Sequence, residues 1–350
     1  MHFYVLSTRR LNRIPPNGAA VELENLLIHV CNAEIIVPTA KAGARHLEFD
    51  RPLRLHGTAS ERVLLIVALA PSLVNAIHSI PNWRQLFGTV ATYIMDPWLN
   101  WELWPEKTPK DFDCYFVPDR RAADHYRFHH GVQTHPVAFA ADVLKFGWNH
   151  INRPLDLVAY GRQHGAYLQV FKQAFNDPRS NRFVYHDTTV GSQCTDLGEH
   201  RNLIWKLLHR SRCALCFDTS ATPDSRQGPR AQSVIPLRYY EAIAAGTAIV
   251  GRHPTVPEMV SHFDWPDATV ELPPNPADAL DFLETLLDDS ERLNTIHVRN
   301  HVEAWQRHDW RYRIRDLLEH LGLNLPARLT TDLSILAQPP QSCRQVRWND

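Results

Sequence analysis

The sequence predicts an α/β fold of two Rossmann-like domains facing a cleft. Three observations lead there. The chain has 350 residues, enough for two domains of ordinary size. Short apolar runs alternate with helical patterns in both halves, the rhythm of parallel sheets covered by helices. The rhythm restarts after Phe146-Gly-Trp-Asn-His-Ile-Asn-Arg-Pro154, whose Gly, Asn and Pro mark an interdomain linker. The expected domains are 1–150 and 151–325, followed by a tail over 326–350. Ligands of such sheets bind beyond the carboxyl ends of the strands, so the cleft is the expected site.

In the first half, His2 to Ser7, Ala33 to Thr39, Val63 to Ala70, Val90 to Met95 and Asp113 to Val117 read as strands. Gly18 to Cys31 carries Val21, Leu26, Ile28 and Val30 near helical spacing, and a helix starts at Pro71. In the second half, Leu155 to Tyr160, Phe183 to His186, Cys213 to Phe217 and Ala248 to Val250 read as strands. Ala166 to Phe175, Asn202 to His209 and Ala277 to Asp288 read as helices, as does Glu291 to Gly322 with a break near His308-Asp309. The Pro-rich stretch from Pro326 onward reads as a loosely attached arm.

Composition excludes several classes. The formal net charge is −1, so no global field recruits nucleic acid or an anionic membrane. The N-terminus lacks the basic lead-in and long apolar core of a signal peptide. The longest apolar run, Val63 to Ala70, is too short to span a bilayer. A cytoplasmic protein is expected, with peripheral membrane contact left open. The six cysteines form no disulfide framework. Cys213 and Cys216 lie in a strand-like run, where residues three apart point to opposite faces and do not share a metal. His125 and His129 have helical spacing, but no third ligand follows in a recognised pattern, so no metal site is expected.

The most informative segment is Ser233-Val-Ile-Pro-Leu-Arg-Tyr-Tyr-Glu-Ala-Ile-Ala-Ala-Gly-Thr-Ala-Ile-Val250, followed by Pro257-Glu258. It reads as a loop, a short helix capped by Gly246 and a buried strand. An ordinary amphipathic helix has that pattern too. Arg238 at the helix start and Glu241 one turn on suit a nucleotide: the helix N–H groups and the arginine meet phosphate, and the carboxylate meets ribose hydroxyls. Gly161-Arg162 closes the first strand of the second half, and His164 follows as a further donor.

This order of residues resembles the donor-binding segment of GT-B glycosyltransferases, in particular a divergent form of the E-x7-E, group 1 type. The resemblance covers 155–322 and reaches the first half only through its β-α-β rhythm. It implies that Glu241 holds the donor ribose, that Arg238 and Arg162 bind the diphosphate and serve catalysis, and that His164, Leu237, Tyr239 and Ser233 complete the donor-binding set. The family's first acid falls on Ser233 here, and the lysine expected after Gly-Arg is absent, with Gln163, His164, Gly165, Ala166 and Tyr167 in its place. In the first domain it directs attention to Gly18, at a turn that lets backbone approach a ligand, and to Asp96 after a strand, with Trp98, Trp101 and Trp104 nearby. Asp142 stands before the linker. The last helix is expected to cross back to the first domain, with Trp310 at the joint.

The implied activity is transfer of a hexose from a nucleoside-diphosphate sugar to an acceptor hydroxyl, in polysaccharide or glycoconjugate biosynthesis. No cofactor or metal is expected. The acceptor is a glycan, a lipid-linked sugar or a small molecule. Inverting chemistry requires a base in the first domain, with His29, His56 and His78 as candidates. Two rivals share the nucleotide site: a sugar-nucleotide epimerase, and a binding protein without activity.

Overall fold

The computed structural model describes the chain except for residues 40–47, 50–52, 99–110, 148–151, 190–191, 222–231, 339 and 341–350. The expected domain boundary at 150/151, Trp101 and Trp104 lie outside the described residues. Two compact units are formed: Met1–Phe139 with Gly191–Arg201 and Arg311–Ser334, and Ala140–Val190 with Asn202–Trp310 and Ile335–Asp350.

The first unit holds a six-stranded parallel sheet of order β2-β1-β5-β6-β7-β8. Its strands are β1 (His2–Leu6), β2 (Glu34–Ile36), β5 (Arg62–Ala68), β6 (Thr89–Ile94), β7 (Cys114–Val117) and β8 (Thr134–Pro136); β3 (Pro38–Thr39) and β4 (Glu48–Phe49) pair separately. Helices α1 (Asn17–Cys31), α2 (Trp83–Leu86) and α3 (Arg120–His125) belong to it, and a 3-10 stretch runs over Pro71–Ser79. Tyr4, Leu6, Leu64, Ile66, Val90, Ile94, Tyr115 and Val117 lie two or four positions apart within their strands and line one face of the sheet, as a period of two demands. Burial of each such side chain contributes roughly 1.5–3 kcal/mol.

The second unit holds a five-stranded parallel sheet of order β10-β9-β11-β12-β13. Its strands are β9 (Leu155–Ala159), β10 (Val184–His186), β11 (Ser211–Phe217), β12 (Ala248–Arg252) and β13 (Val270–Glu271). Helices α4 (Val143–Phe146), α5 (Gly165–Phe175), α7 (Leu237–Ala244), α8 (Pro257–His262), α9 (Pro276–Asp288) and α10 (Ser290–Arg307) accompany it, and α6 (Leu197–Arg210) leads into β11. Its core joins Leu157, Phe171, Phe175, Cys213, Leu215, Phe217, Val250 and Leu283. Cys213 faces that core with Leu215 and Phe217, so Cys216 takes the other face, and both thiols are fully buried and free. Burial pushes each up to about 12.

α11 (Trp310–His320) follows the expected break after Arg307, and α12 (Ala327–Leu336) follows it. The expectation of a loose arm is corrected for 327–336: the stretch is helical, buries Leu329 completely, and pairs Asp332 with Arg311 at 2.6 Å. Proline ended the apolar pattern without ending the structure. Asp142 caps α4 by accepting from the Lys145 N–H at 3.3 Å.

The two sheets share a layout. From β1 the chain goes to β2 on one side and then to β5 on the other; from β9 it goes to β10 and then to β11. Each sheet therefore has one switch point, β1/β5 and β9/β11, where crossovers diverge and leave a crevice at the carboxyl ends.

Candidate functional site

The β9/β11 switch point gathers most of the second-half residues singled out from the sequence. β9 runs into Tyr160 and then Gly161, whose φ of 68° lies in the left-handed region. A Cβ there meets Arg238 Nη1 at 3.0 Å, so conformation and space both select glycine. Arg162 follows, half-buried. His164 then caps α5 without a side-chain bond to it. Its ring stands against Tyr167 at 5.1 Å and Phe217 at 5.6 Å.

α7 enters the same crevice. Pro236 is its N-cap, and no side chain caps its first turn, so its leading N–H groups point out of the helix start. Arg238 is buried, and its guanidinium spans the crevice. Nη1 donates to the carbonyls of Arg162 at 2.6 Å and Tyr160 at 3.3 Å, and Nη2 donates to that of Phe217 at 3.1 Å. Glu241, one turn on, is 3 % exposed and accepts a hydrogen bond from the Tyr160 hydroxyl at 2.9 Å. That hydroxyl also lies 3.4 Å from the Arg238 carbonyl. Tyr160 and α7 therefore hold each other through backbone and side chain in both directions.

The remaining second-half candidates are more dispersed. Leu237 opens α7, half-buried. Ser233 lies in the extended stretch before it, half-buried. Tyr239 turns into the core, where its hydroxyl meets His253 Nδ1 at 2.9 Å. Burial holds the Tyr239 phenol well above its usual range and pulls His253 down to about 4, so the pair is neutral.

Two residues of the crevice were not singled out from the sequence as site residues. Tyr160 reads there only as the last residue of an apolar run. Gln163 reads as the place where a lysine is missing. It bridges the two strands instead, donating from Nε2 to the Tyr160 carbonyl at 2.8 Å and the Leu215 carbonyl at 3.1 Å. A polar amide just after a strand-ending Gly-Arg was the available signal.

In the first unit, the close approach that Gly18 permits is to the chain itself: a Cβ there meets Arg201 Cγ at 2.7 Å. Arg201 is held in turn by Glu22 at 2.7 Å. Asp96 follows β6 at the carboxyl edge, its N–H on the Leu69 carbonyl at 2.8 Å, and the neighbouring Trp98 donates to Asp119 at 3.2 Å. At the β1/β5 switch point Glu24 is buried and accepts from the Ser7 hydroxyl at 2.6 Å, the Thr8 N–H at 2.9 Å and Arg9 at 3.1 Å. His56 sits against His2 at the amino end of β1, opposite the edge where ligands bind. His29 and His78 are both exposed. The His125 and His129 rings are 4.3 Å apart, yet among the described residues no group of three side chains is arranged to hold a metal. No helix of the described residues is long and apolar enough to cross a membrane.

Residues 186–319 match the family described as glycosyl transferase-like. Among solved structures, HepE of Anabaena in complex with UDP superposes with a TM-score of 0.51 and 11% identity, over 92% of this chain and 100% of that one. A second HepE structure, with UDP and glucose, has the same score. TarM of S. aureus, in complex with Fondaparinux, alpha-GlcNAc-glycerol and UDP, gives a TM-score of 0.47 at 10% identity over 75% of this chain. The chain spans 55% of the length of TarM and 57% of that of the pneumococcal O-GlcNAc transferase GtfA. No curated protein matches this chain by sequence.

Proposed function

From a chain of GT-B fold whose residues 186–319 are glycosyl transferase-like, we propose a glycosyltransferase that moves a sugar from a nucleoside-diphosphate sugar to an acceptor hydroxyl. The observation that carries this is the meeting of Glu241, the α7 start and the Gly161-Arg162 turn at one switch-point crevice. In this reading the nucleotide lies across the carboxyl ends of β9 and β11. A carboxylate offers about four lone-pair directions, so Glu241 can keep Tyr160 and still accept from ribose hydroxyls. Arg162 and the uncapped N–H groups of α7 meet the diphosphate.

In the transfer step the bond between the sugar C1 and the phosphate oxygen breaks. Its electron pair goes to the nucleoside diphosphate, and the acceptor oxygen bonds to C1 and releases its proton. The growing charge on the leaving diphosphate is what positive groups stabilise, and in this reading the α7 start and Arg162 supply that charge, with no metal required. The acceptor is a glycan, a lipid-linked sugar or a small molecule, and we place the reaction in the cytoplasm, a reducing compartment that suits the free buried thiols of Cys31, Cys114, Cys213 and Cys216.

Thermal-shift titration tests the nucleotide site. UDP, the ligand of the HepE structures, is the first probe, with GDP, ADP and their hexose conjugates beside it. A diphosphate at about a hundred times its Kd adds roughly 2.7 kcal/mol of stability. A shift with none of them sinks the proposal. Product analysis with a labelled sugar nucleotide then separates transfer to an acceptor from epimerisation of the donor, and from binding without turnover.

A further inference from the structure

β9 and β11 pair in register only as far as Val158 with Ala214. Beyond that the strands part, and the carbonyls of Tyr160, Leu215 and Phe217 lie where a ladder no longer supplies donors. Buried carbonyls need donors, and here they come from side chains. Gln163 joins the Tyr160 and Leu215 carbonyls, and Arg238 joins those of Tyr160, Arg162 and Phe217. Both side chains reach from one strand end to the other.

Resting on the reading of this crevice as a nucleotide site, we propose that Arg238 and Gln163 form a latch that fixes the Gly161-Arg162 turn. Arg238 is then a positioning residue, and Arg162 is the cation that meets the diphosphate. This departs from the role the sequence suggested for Arg238. Carbonyls engage three of its four terminal N–H groups, its Nε is buried without a hydrogen-bond partner, and the residue is 8 % exposed. These bonds fix the position and plane of the guanidinium at the turn, and leave the Nε N–H and one Nη2 N–H as its remaining donors. Arg162 is half-buried. Its carbonyl receives the 2.6 Å bond from Arg238, so the latch acts on the backbone that aims the Arg162 side chain. The latch also adds to the case for glycine at 161, since Arg238 Nη1 stands 3.0 Å from where a Cβ would lie. A planar fork bridges carbonyls on two strands, whereas a lysine ammonium is a single point and does not.

Two measurements on the full chain test this, with Arg238→Lys, Arg238→Gln, Gln163→Leu, Arg162→Gln and the double variant R162Q/R238Q. The first needs no ligand. Amide hydrogen exchange is followed in peptides covering 159–165 and 217–219. Both Arg238 variants and Gln163→Leu are expected to speed exchange there by about tenfold or more while α9 keeps its protection, and Arg162→Gln is expected to leave it unchanged. Unchanged exchange in the Arg238 and Gln163 variants overturns the latch. Gln163→Leu retains the Arg238 charge and serves where Arg238→Gln fails to fold.

The second is calorimetric binding of UDP, GDP or ADP. Arg238→Lys is expected to lose about as much affinity as Arg238→Gln, on the order of tenfold, because the charge is kept and the fork is lost. Arg162→Gln is expected to cost little more on the Arg238→Gln background, since the turn is already released. Near-normal affinity in Arg238→Lys, or losses that multiply in the double variant, overturns the positioning role. If none of these diphosphates binds the unmodified chain, the nucleotide reading of the crevice fails, and exchange still judges the latch.

Discussion

Glu241 shows what a single residue does here. Its carboxylate is buried against the Tyr160 hydroxyl, so it organises the crevice before any ligand arrives. Tyr160→Phe leaves that carboxylate short of a donor and is expected to lower stability by about 1–3 kcal/mol in urea unfolding. Glu241→Ala is expected to weaken nucleoside-diphosphate binding by about tenfold, measured by calorimetry, with Glu241→Gln between the two, because an amide oxygen still accepts one hydroxyl. Affinity equal to the unmodified chain in both variants removes Glu241 from the ribose. Gly161→Ala is expected to destabilise by about 1–3 kcal/mol, from its φ of 68° and from the 3.0 Å approach of Arg238. A melting temperature unchanged by that substitution means that the turn relaxes freely.

At the scale of elements, the second sheet depends on a close approach of two strands. Gly251 of β12 stands opposite Cys216 of β11, and a Cβ at 251 falls 1.7 Å from the Cys216 carbonyl oxygen. Gly251→Ala is therefore expected to destabilise by about 3 kcal/mol or more, since the obstacle is backbone and cannot swing aside. Recovery of a soluble variant with the original urea midpoint contradicts this. The opposite end of the sheet is tied by Arg153, which is buried and donates to the carbonyls of Leu208, Ser211 and Ala245. Leu208 and Ala245 belong to helix C-termini, where backbone carbonyls are orphaned and a positive charge is favourable. Desolvation still pulls the Arg153 guanidinium down to about 10.

Over the whole molecule, buried histidines set the response to acid. Desolvation lowers His297 from 6.5 to about 3 and His253 to about 4, and it lowers His301 as well. In the unfolded chain these groups take up protons as pH falls through 6.5, whereas the folded chain refuses them until about 4 or 3. Their contribution to stability is complete above pH 6.5 and is lost as pH falls through that window. Glu24, raised by burial, acts with the opposite sign and softens the slope. Urea midpoints are expected to fall steadily from about pH 7 to about pH 5, and less steeply in His297→Asn. A flat series in the unmodified chain overturns the assignment.

The sequence by itself determined the longer elements and the segment that carries Arg238 and Glu241. Apolar runs of period two and helices with glycine caps are local patterns, so β1, β5, β6, β9, β11, β12 and the break between α10 and α11 are legible in the order of residues. So is the pairing of Arg238 with Glu241 on one short helix. The two-residue β13, the short α3 and the helix α12 beyond Pro326 are not, because too few residues carry their periodicity. The tertiary structure decided what each side chain faces. Arg238 points to phosphate when read beside Glu241 in sequence, yet its bonds go to carbonyls 76 to 78 residues away at the end of β9 and 21 away on β11. Gln163, which reads as a missing lysine, closes the same gap. Gly18, which reads as room for a ligand, is filled by Arg201. The reason is that hydrogen-bond demand at a switch point arises only where two strands part, and the order of strands in a sheet is a property of the assembled chain.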